Sequence, residues 1–184
     1  MPTHKGTVTL ETPRLILRRF TLEDAPAMYR NWACDPEVTR YLTWPTHDHV
    51  DTSRRVIESW VSEYSRDSYY HWAIVLKTLD QPIGSLIAIS GDDRIAMAHI
   101  GYCIGRPWWH QGIMTEALTA VMDYLFDQVG MNRVESCHDV NNPHSGAVMR
   151  KCGMQYEGTF RQAKWTNQGL STTAHYAALR QDRQ

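Results

Sequence analysis

The sequence predicts an α/β (α+β) fold, a sheet of six or seven strands flanked by about four helices, and three observations carry that prediction. Short apolar runs alternate with turn residues, most clearly from His71 to Ile104. A long amphipathic segment follows, with Ile113, Ala117, Leu118, Val121, Leu125, Phe126 and Val129 falling on one helical face. Behind a second, shorter helix, two further strand-like segments close the chain.

Taken in order, Leu15, Leu17 and Arg19 alternate with Ile16, Arg18 and Phe20 as an opening strand. Thr21 with Glu23 and Asp24 then starts a helix running towards Trp32. Val56, Ile57, Trp60, Val61 and Tyr64 lie three or four apart and place a second helix over about Asp51 to Tyr64. His71 to Lys77 and Ile83 to Ile89 read as strands joined by the turn Leu79-Asp-Gln-Pro82, and Ile95 to Ile104 adds a third, giving an antiparallel meander. The helix from Gly112 to Val129 is closed by Gly130 as a left-handed cap. Val134 to Val140 is the next strand, and Asn142 with Pro143 opens a short helix that Gly153 ends. Met154 to Gln162 and Leu170 to Leu179 complete the sheet.

With 184 residues and 42% hydrophobic content the chain is long enough to bury a core unaided, and we expect a single domain over 1–184. A formal net charge of −1 supplies no global field for nucleic acid or an anionic membrane, so neither is expected as a partner. Met1 to Thr9 contains no apolar run of signal length, and no run of roughly 18 apolar residues marks a membrane span. The expected location is therefore the cytosol. Cys34, Cys103, Cys137 and Cys152 form no Cys-x-x-Cys pair and are expected as reduced thiols.

The stretch from His99 to Gly158 carries the chemistry. The strand His99-Ile-Gly-Tyr-Cys-Ile104 feeds Pro107-Trp-Trp-His-Gln-Gly-Ile-Met-Thr-Glu-Ala117, a glycine-containing turn at a helix N-terminus. Such a turn exposes unpaired backbone N–H groups at the positive end of the helix dipole, where a phosphate or pyrophosphate is the usual occupant. Asn142-Pro-His-Ser145 and Lys151-Cys-Gly153 follow at the second helix. In this order the motifs resemble the GNAT acetyltransferase superfamily, and within it the RimJ/RimL branch of ribosomal-protein N-terminal acetyltransferases. Thr12-Pro-Arg-Leu-Ile-Leu-Arg18, Asp35-Pro-Glu-Val-Thr-Arg-Tyr-Leu42 and Gln81-Pro-Ile-Gly84 extend the resemblance over nearly the whole chain.

The resemblance implies a mixed, mostly antiparallel sheet whose strands splay around the central helix to admit a pantetheine arm. It implies acetyl-CoA as co-substrate and direct attack by a primary amine in a ternary complex. Cofactor contacts fall on Tyr102, Cys103 and Ile104, on the loop Trp109, His110, Gln111, Gly112, Ile113, Met114 and Thr115, and on Asn142 and Lys151. The oxyanion would be met by a backbone N–H near Tyr102 or Cys103. Met114 departs from the pattern, because a small residue there normally lets the backbone approach the phosphates. Arg106 and Arg150, with Lys151, are the further candidates to neutralise phosphate charge.

Many superfamily members place a tyrosine four residues after Ser145 as acid for the leaving thiolate; Met149 stands there, so Ser145 becomes the donor. His99 occupies the branch's usual glutamate position, and an imidazole of ordinary pKa near 6.5 can accept an amine proton. Glu157 is the reserve base, and Cys103 reads as a buried strand residue rather than an acyl carrier. His47 and His49 lack a clear third ligand, so no metal is expected. Tyr41, Trp44, Trp60, Tyr69, Tyr70 and Trp72 divide between core and acceptor cleft, with Glu37, Asp48 and Glu58 near enough to receive a cationic amine. The acceptor is either a protein N-terminal amine or a small-molecule amine. A competing reading is a non-catalytic acyl-CoA-binding or interaction module, and a homodimer is compatible with the habits of such enzymes.

Overall fold

The computed structural model describes residues 1–183 and is organised around one eight-stranded sheet of order β1-β2-β3-β4-β5-β6-β8-β7. The strands are β1 (Leu10–Glu11), β2 (Leu15–Arg18), β3 (Tyr69–Leu76), β4 (Gln81–Ser90), β5 (Met97–Ile104), β6 (Arg133–Asp139), β7 (Gln155–Thr166) and β8 (Gly169–Leu179). The helices are α1 (Ala25–Met28), α2 (Pro36–Thr39), α3 (Val50–Glu63), α4 (Ile113–Asp123) and α5 (Pro143–Lys151). Two of these elements exceed the expected count. The two-residue β1 and the four-residue α2 are too short for an apolar period to show. The expected helix from Thr21 to Trp32 is built in three pieces, a 3-10 turn over Leu22–Asp24, α1, and a wider π turn over Tyr29–Ala33. Pro26 in the first turn of α1 cannot donate a backbone hydrogen bond, so the helix begins afresh there.

Every strand pair is antiparallel except β5–β6. Strand β3 is buried from Tyr70 to Val75 because both of its faces are covered, which explains its nearly continuous apolar sequence. On one face Trp72, Ile74, Leu86 and Ile100 pack under α4 through Ala117, Leu118, Val121 and Leu125. On the other, Ala73 and Val75 join Phe20, Met28, Trp32 and Ile57 from α1, its π turn and α3. At the outer edge β7 is mostly exposed, and its register against β8 shifts twice, between Tyr156 and Gly158 and between Phe160 and Lys164.

The parallel ladder between β5 and β6 spans only Met97↔Arg133, Ala98↔Val134 and His99↔Glu135. Beyond it β5 stays with β4 as far as Ile104↔Gly84, whereas β6 stays with β8 as far as Asp139↔Thr173. Each strand keeps its other neighbour, so the two must diverge. Ser136 Oγ bridges the start of the gap by donating to the Ile100 carbonyl at 2.7 Å.

Helix α4 winds on through a π turn over Tyr124–Val129 and stops at Gly130, whose φ of +84° lies in the left-handed region. A Cβ at Gly130 would meet no described atom within 4 Å, so only backbone strain opposes a side chain there. Gly130→Ala is expected to lower stability by about 1 kcal/mol with an unchanged m value in urea denaturation; a loss of several kcal/mol would mean that the helix end is packed more tightly than this.

Candidate active site

The divergence of β5 from β6 opens a cavity of about 990 Å³ that threads the sheet from the α4 and α5 side to the opposite face. Its walls include His99, Ser145 and most of the expected cofactor contacts: Tyr102, Cys103, Ile104, Trp109, His110, Gly112, Ile113, Met114, Thr115, Asn142 and Lys151. Gln111 is the exception. It is exposed on the outer side of the loop, where its Nε2 donates to the Pro107 carbonyl at 2.8 Å.

The loop itself is bent by two left-handed residues, His110 with φ +61° and Gly112 with φ +73°. Gly112 tolerates that conformation freely, and it sets the first N–H groups of the eleven-residue α4 towards the cavity mouth. Trp109 pins the loop to the end of β5 by donating Nε1 to the Ile104 carbonyl at 2.8 Å. Met114 does not crowd the loop, because its side chain turns into the core and is 5% exposed. Arg14 holds the loop from outside: Nη1 donates to the Gln111 carbonyl at 2.9 Å and Nε to Glu116 at 2.6 Å. No local pattern in the sequence marks Arg14 for this task.

At the start of α5, Asn142 occupies the cap position but, among the described residues, its side chain makes no capping bond. The residue lines the cavity. Ser145 Oγ donates to the Tyr102 hydroxyl at 2.9 Å, and that hydroxyl donates to the Ser145 carbonyl at 2.9 Å. Burial holds the Tyr102 phenol well above its ordinary range against the opposing effect of Ser145, so the pair keeps its protons. Lys151 is the cation on this wall; Arg106 pairs with Asp35 at 2.9 Å and Arg150 donates to Tyr176 at 3.0 Å, both away from the cavity lining.

On the opposite face, at the fork of the two strands, His99 Nδ1 lies 3.4 Å from Glu135, and Lys164 Nζ lies 3.6 Å from Cys137 Sγ. The neighbouring Cys137 is the largest influence raising the His99 pKa; burial opposes it and Glu135 assists, with a net rise above the ordinary value. Burial works to raise the Cys137 thiol, but His99 and Lys164 outweigh it and bring the thiol below its ordinary range. Cys103 differs, because burial pushes it up to about 12. Glu157 is held by Arg133 through a forked pair, 2.8 Å on the Nη1 side, and lies outside the cavity lining.

Further along this face Trp32, Tyr41, Trp44 and Trp60 form an aromatic wall with Glu37 at its rim, while Tyr70 and Trp72 are core and Tyr69 backs His71. Asp48 and Glu58 do not reach the lining. His71, which the sequence marks only as a strand residue, is buried in the wall with Nε2 2.7 Å from Ser85 Oγ, Nδ1 3.0 Å from the Tyr69 hydroxyl, and the Trp60 ring at 4.2 Å. Burial lowers its pKa to about 3. Elsewhere His47 Nδ1 sits 2.8 Å from Ser53 Oγ and His49 accepts the Asp51 N–H at 3.2 Å. Among the described residues no three His, Cys, Asp or Glu side chains converge as a metal site, and no helix is long and apolar enough to cross a membrane.

An open mixed sheet with a three-pair parallel ladder, a helix N-terminus at the fork and a cavity running through it defines an acyl-transfer scaffold. The acetyltransferase (GNAT) domain model matches residues 14–155. The N-acetyltransferase p20 of Bacillus licheniformis is 32% identical over 83% of this chain and 85% of its own length. The [ribosomal protein uS5]-alanine N-acetyltransferase of Escherichia coli is 24% identical over 82% and 80%. The self-immunity acetyltransferase MccE, solved with acetyl-CoA and AMP, superposes with a TM-score of 0.83 at 21% identity, covering 91% of this chain and 93% of that one. The chain belongs to the GNAT acetyltransferase family.

Two of the cavity's histidines, His99 and His71, should separate cleanly by NMR. His99 is expected to titrate with a midpoint above 6.5, and His71 to stay neutral from pH 8 to pH 5. The unfolded chain takes up a proton at His71 near pH 6.5 that the folded chain refuses, so this residue's contribution to stability is present above that pH and is lost progressively towards about pH 3. A His71 midpoint near 6.5 would contradict the sealed environment described for it.

Proposed function

We propose that the protein transfers the acetyl group of acetyl-CoA to the N-terminal amine of a polypeptide, by direct attack within a ternary complex, using the whole chain as one catalytic domain. The observation that carries this is the continuity of the cavity, from anion-ready N–H groups at α4 to a titratable cluster on the far side of the sheet. Acetyl-CoA fits the residues present. The loop from Trp109 to Thr115 with Lys151 would hold its pyrophosphate, the unengaged Asn142 amide its pantetheine amides, and Tyr102, Cys103 and Ile104 its acyl end. When bound, it supplies an activated acyl group as a thioester.

The chain's own residues then divide the proton work. His99 accepts the amine's proton, and Ser145 is the donor at the fork, with its hydrogen-bond partner Tyr102 keeping its own proton through burial. Backbone N–H groups of β5 beyond His99, which have no β6 partner, are in place to meet an oxyanion. Glu157 acts at a distance, through Arg133 and Glu135, on the orientation of His99. A polypeptide acceptor is favoured by the relative that acts on a ribosomal-protein alanine and by the openness of the sheet face around His99, where Ile89 and Phe160 are 57% and 52% exposed.

Calorimetric titration with acetyl-CoA is expected to show micromolar binding, and release of free CoA should follow when peptides with an unblocked N-terminus are supplied. His99→Ala should leave acetyl-CoA affinity unchanged and lower kcat roughly 10²-fold or more at neutral pH. The rate should fall on the acid side with a midpoint above 6.5. Absence of binding would sink this reading; binding without turnover of any peptide or small amine would mark an acyl-CoA-binding module instead.

A further inference from the structure

The loop that bends into α4 is held from its outer side by the turn between β1 and β2. Thr12 and Arg14 of that turn converge on Glu116, the acidic residue in the first turn of α4. Thr12 Oγ1 donates to Glu116 Oε1 at 2.5 Å, the Arg14 backbone N–H donates to the same oxygen at 3.0 Å, and Arg14 Nε donates to Oε2 at 2.6 Å. Arg14 Nη1 continues to the Gln111 carbonyl at 2.9 Å. The turn is itself fixed: the Thr12 N–H donates to the Leu15 carbonyl, the Leu15 N–H to Thr12 Oγ1 and the Lys77 N–H to the Arg14 carbonyl, each at 3.0 Å. Neither Arg14 nor Glu116 lines the cavity.

This anchor acts on the cavity in two ways. The first is direction. In a trans peptide the N–H and C=O point opposite ways, so the Gln111 carbonyl drawn outward to Arg14 turns the Gly112 N–H towards the cavity that Gly112 lines. His110 and Gly112, on either side, both hold positive φ, a strained state for the histidine that the bond to Arg14 helps to keep. The second is charge. A carboxylate at a helix N-terminus takes up the same positive end of the dipole that a pyrophosphate needs. Burial works against ionisation of Glu116, but Thr12 and Arg14 outweigh it and hold the carboxyl below its ordinary range. Glu116 is therefore charged at neutral pH, and the Arg14 guanidinium offsets that charge at contact distance.

We propose that Arg14 is a positioning residue for the pyrophosphate of acetyl-CoA: it orients the Gly112 N–H through the Gln111 carbonyl and neutralises Glu116, without itself touching the cofactor. This rests on the acetyl-CoA reading above and deepens it, because the anion site is completed by an ion pair behind the loop. Both effects act on the phosphates and leave the pantetheine arm alone.

The test compares two ligands on the full chain: CoA by calorimetry, and acetylpantetheine, which lacks the pyrophosphate, by NMR shift titration. Arg14→Met is expected to weaken CoA roughly tenfold and to leave acetylpantetheine within about twofold. Adding Glu116→Gln to Arg14→Met should recover at least about threefold, because the uncompensated carboxylate is gone. A merely structural role gives no such rescue, since the second substitution removes a further hydrogen-bonding group. Raising sodium chloride from about 0.05 M to about 0.5 M should narrow the gap between wild type and Arg14→Met. If Arg14→Met does not fold, Arg14→Lys carries the test: it keeps the charge opposite Glu116 but not the fork that reaches Gln111, so its CoA affinity should fall about threefold with acetylpantetheine unmoved. Unchanged CoA affinity, an equal loss for both ligands, or no recovery with Glu116→Gln would overturn the proposal. A wild-type chain that binds no CoA would sink the acetyl-CoA reading, whereas wild-type binding with a flat variant series would sink only the role given to Arg14.

Discussion

Three residue pairs hold the molecule's chemistry in place. Where β5 and β6 run parallel they share only the ladder from Met97 to His99, and everything functional lies at the point where it ends. Neither strand can follow the other further, because each is committed by a long antiparallel partner, β4 on one side and β8 on the other. The backbone groups released by that divergence are not stranded. They open onto a cavity that a helix N-terminus, an asparagine amide and two hydroxyl groups line with polar atoms.

The covering of the sheet is equally unequal. Both faces of β3 lie under helices, which supplies a rigid platform of Trp72, Ile74 and Leu86 beneath α4 and of Ala73 and Val75 beneath α1 and α3. Towards β7 the face carrying His99 is left open. Charged and polar side chains there are partly solvated and can change protonation state at moderate cost, whereas His71, a few strands away on the same face but sealed beneath Trp60 and Phe20, cannot. One sheet face thus holds two imidazoles with opposite behaviour, separated by how much protein lies over each.

Much of this is legible in the amino-acid sequence. The apolar stripe of α4 is long enough for its period to be unmistakable, and the strand-turn-helix around Gly112 is a local motif whose residues are neighbours in sequence. The same locality explains what was missed. Cys137 and Lys164, in contact with each other, come to the same end of the fork as His99 only because β6 lies beside β5 and β7 reaches past β8, a placement set by pairings across 38 and 65 positions of chain that no short-range pattern encodes. Arg14 reaches Gln111 by a similarly long connection. His71 was visible as a strand residue, but its sealing depends on Trp60 and Phe20 arriving from two other elements. Met114 departs from the small residue expected in the phosphate loop, and the direction of its side chain into the core follows from where α4 docks.

The irregular outer strand has a consequence for how these molecules behave in a crowd. A straight twelve-residue edge with its hydrogen-bonding groups free would be an invitation for a neighbouring chain to add itself to the sheet. The two interruptions in β7, with Gln162 turned to a positive φ inside the second, break the even spacing that a docking strand would need. Trp165 and Phe160 can therefore stay in contact with water without the strand becoming a seed for fibrillar stacking, and the open end of the sheet remains free for visitors of the right shape.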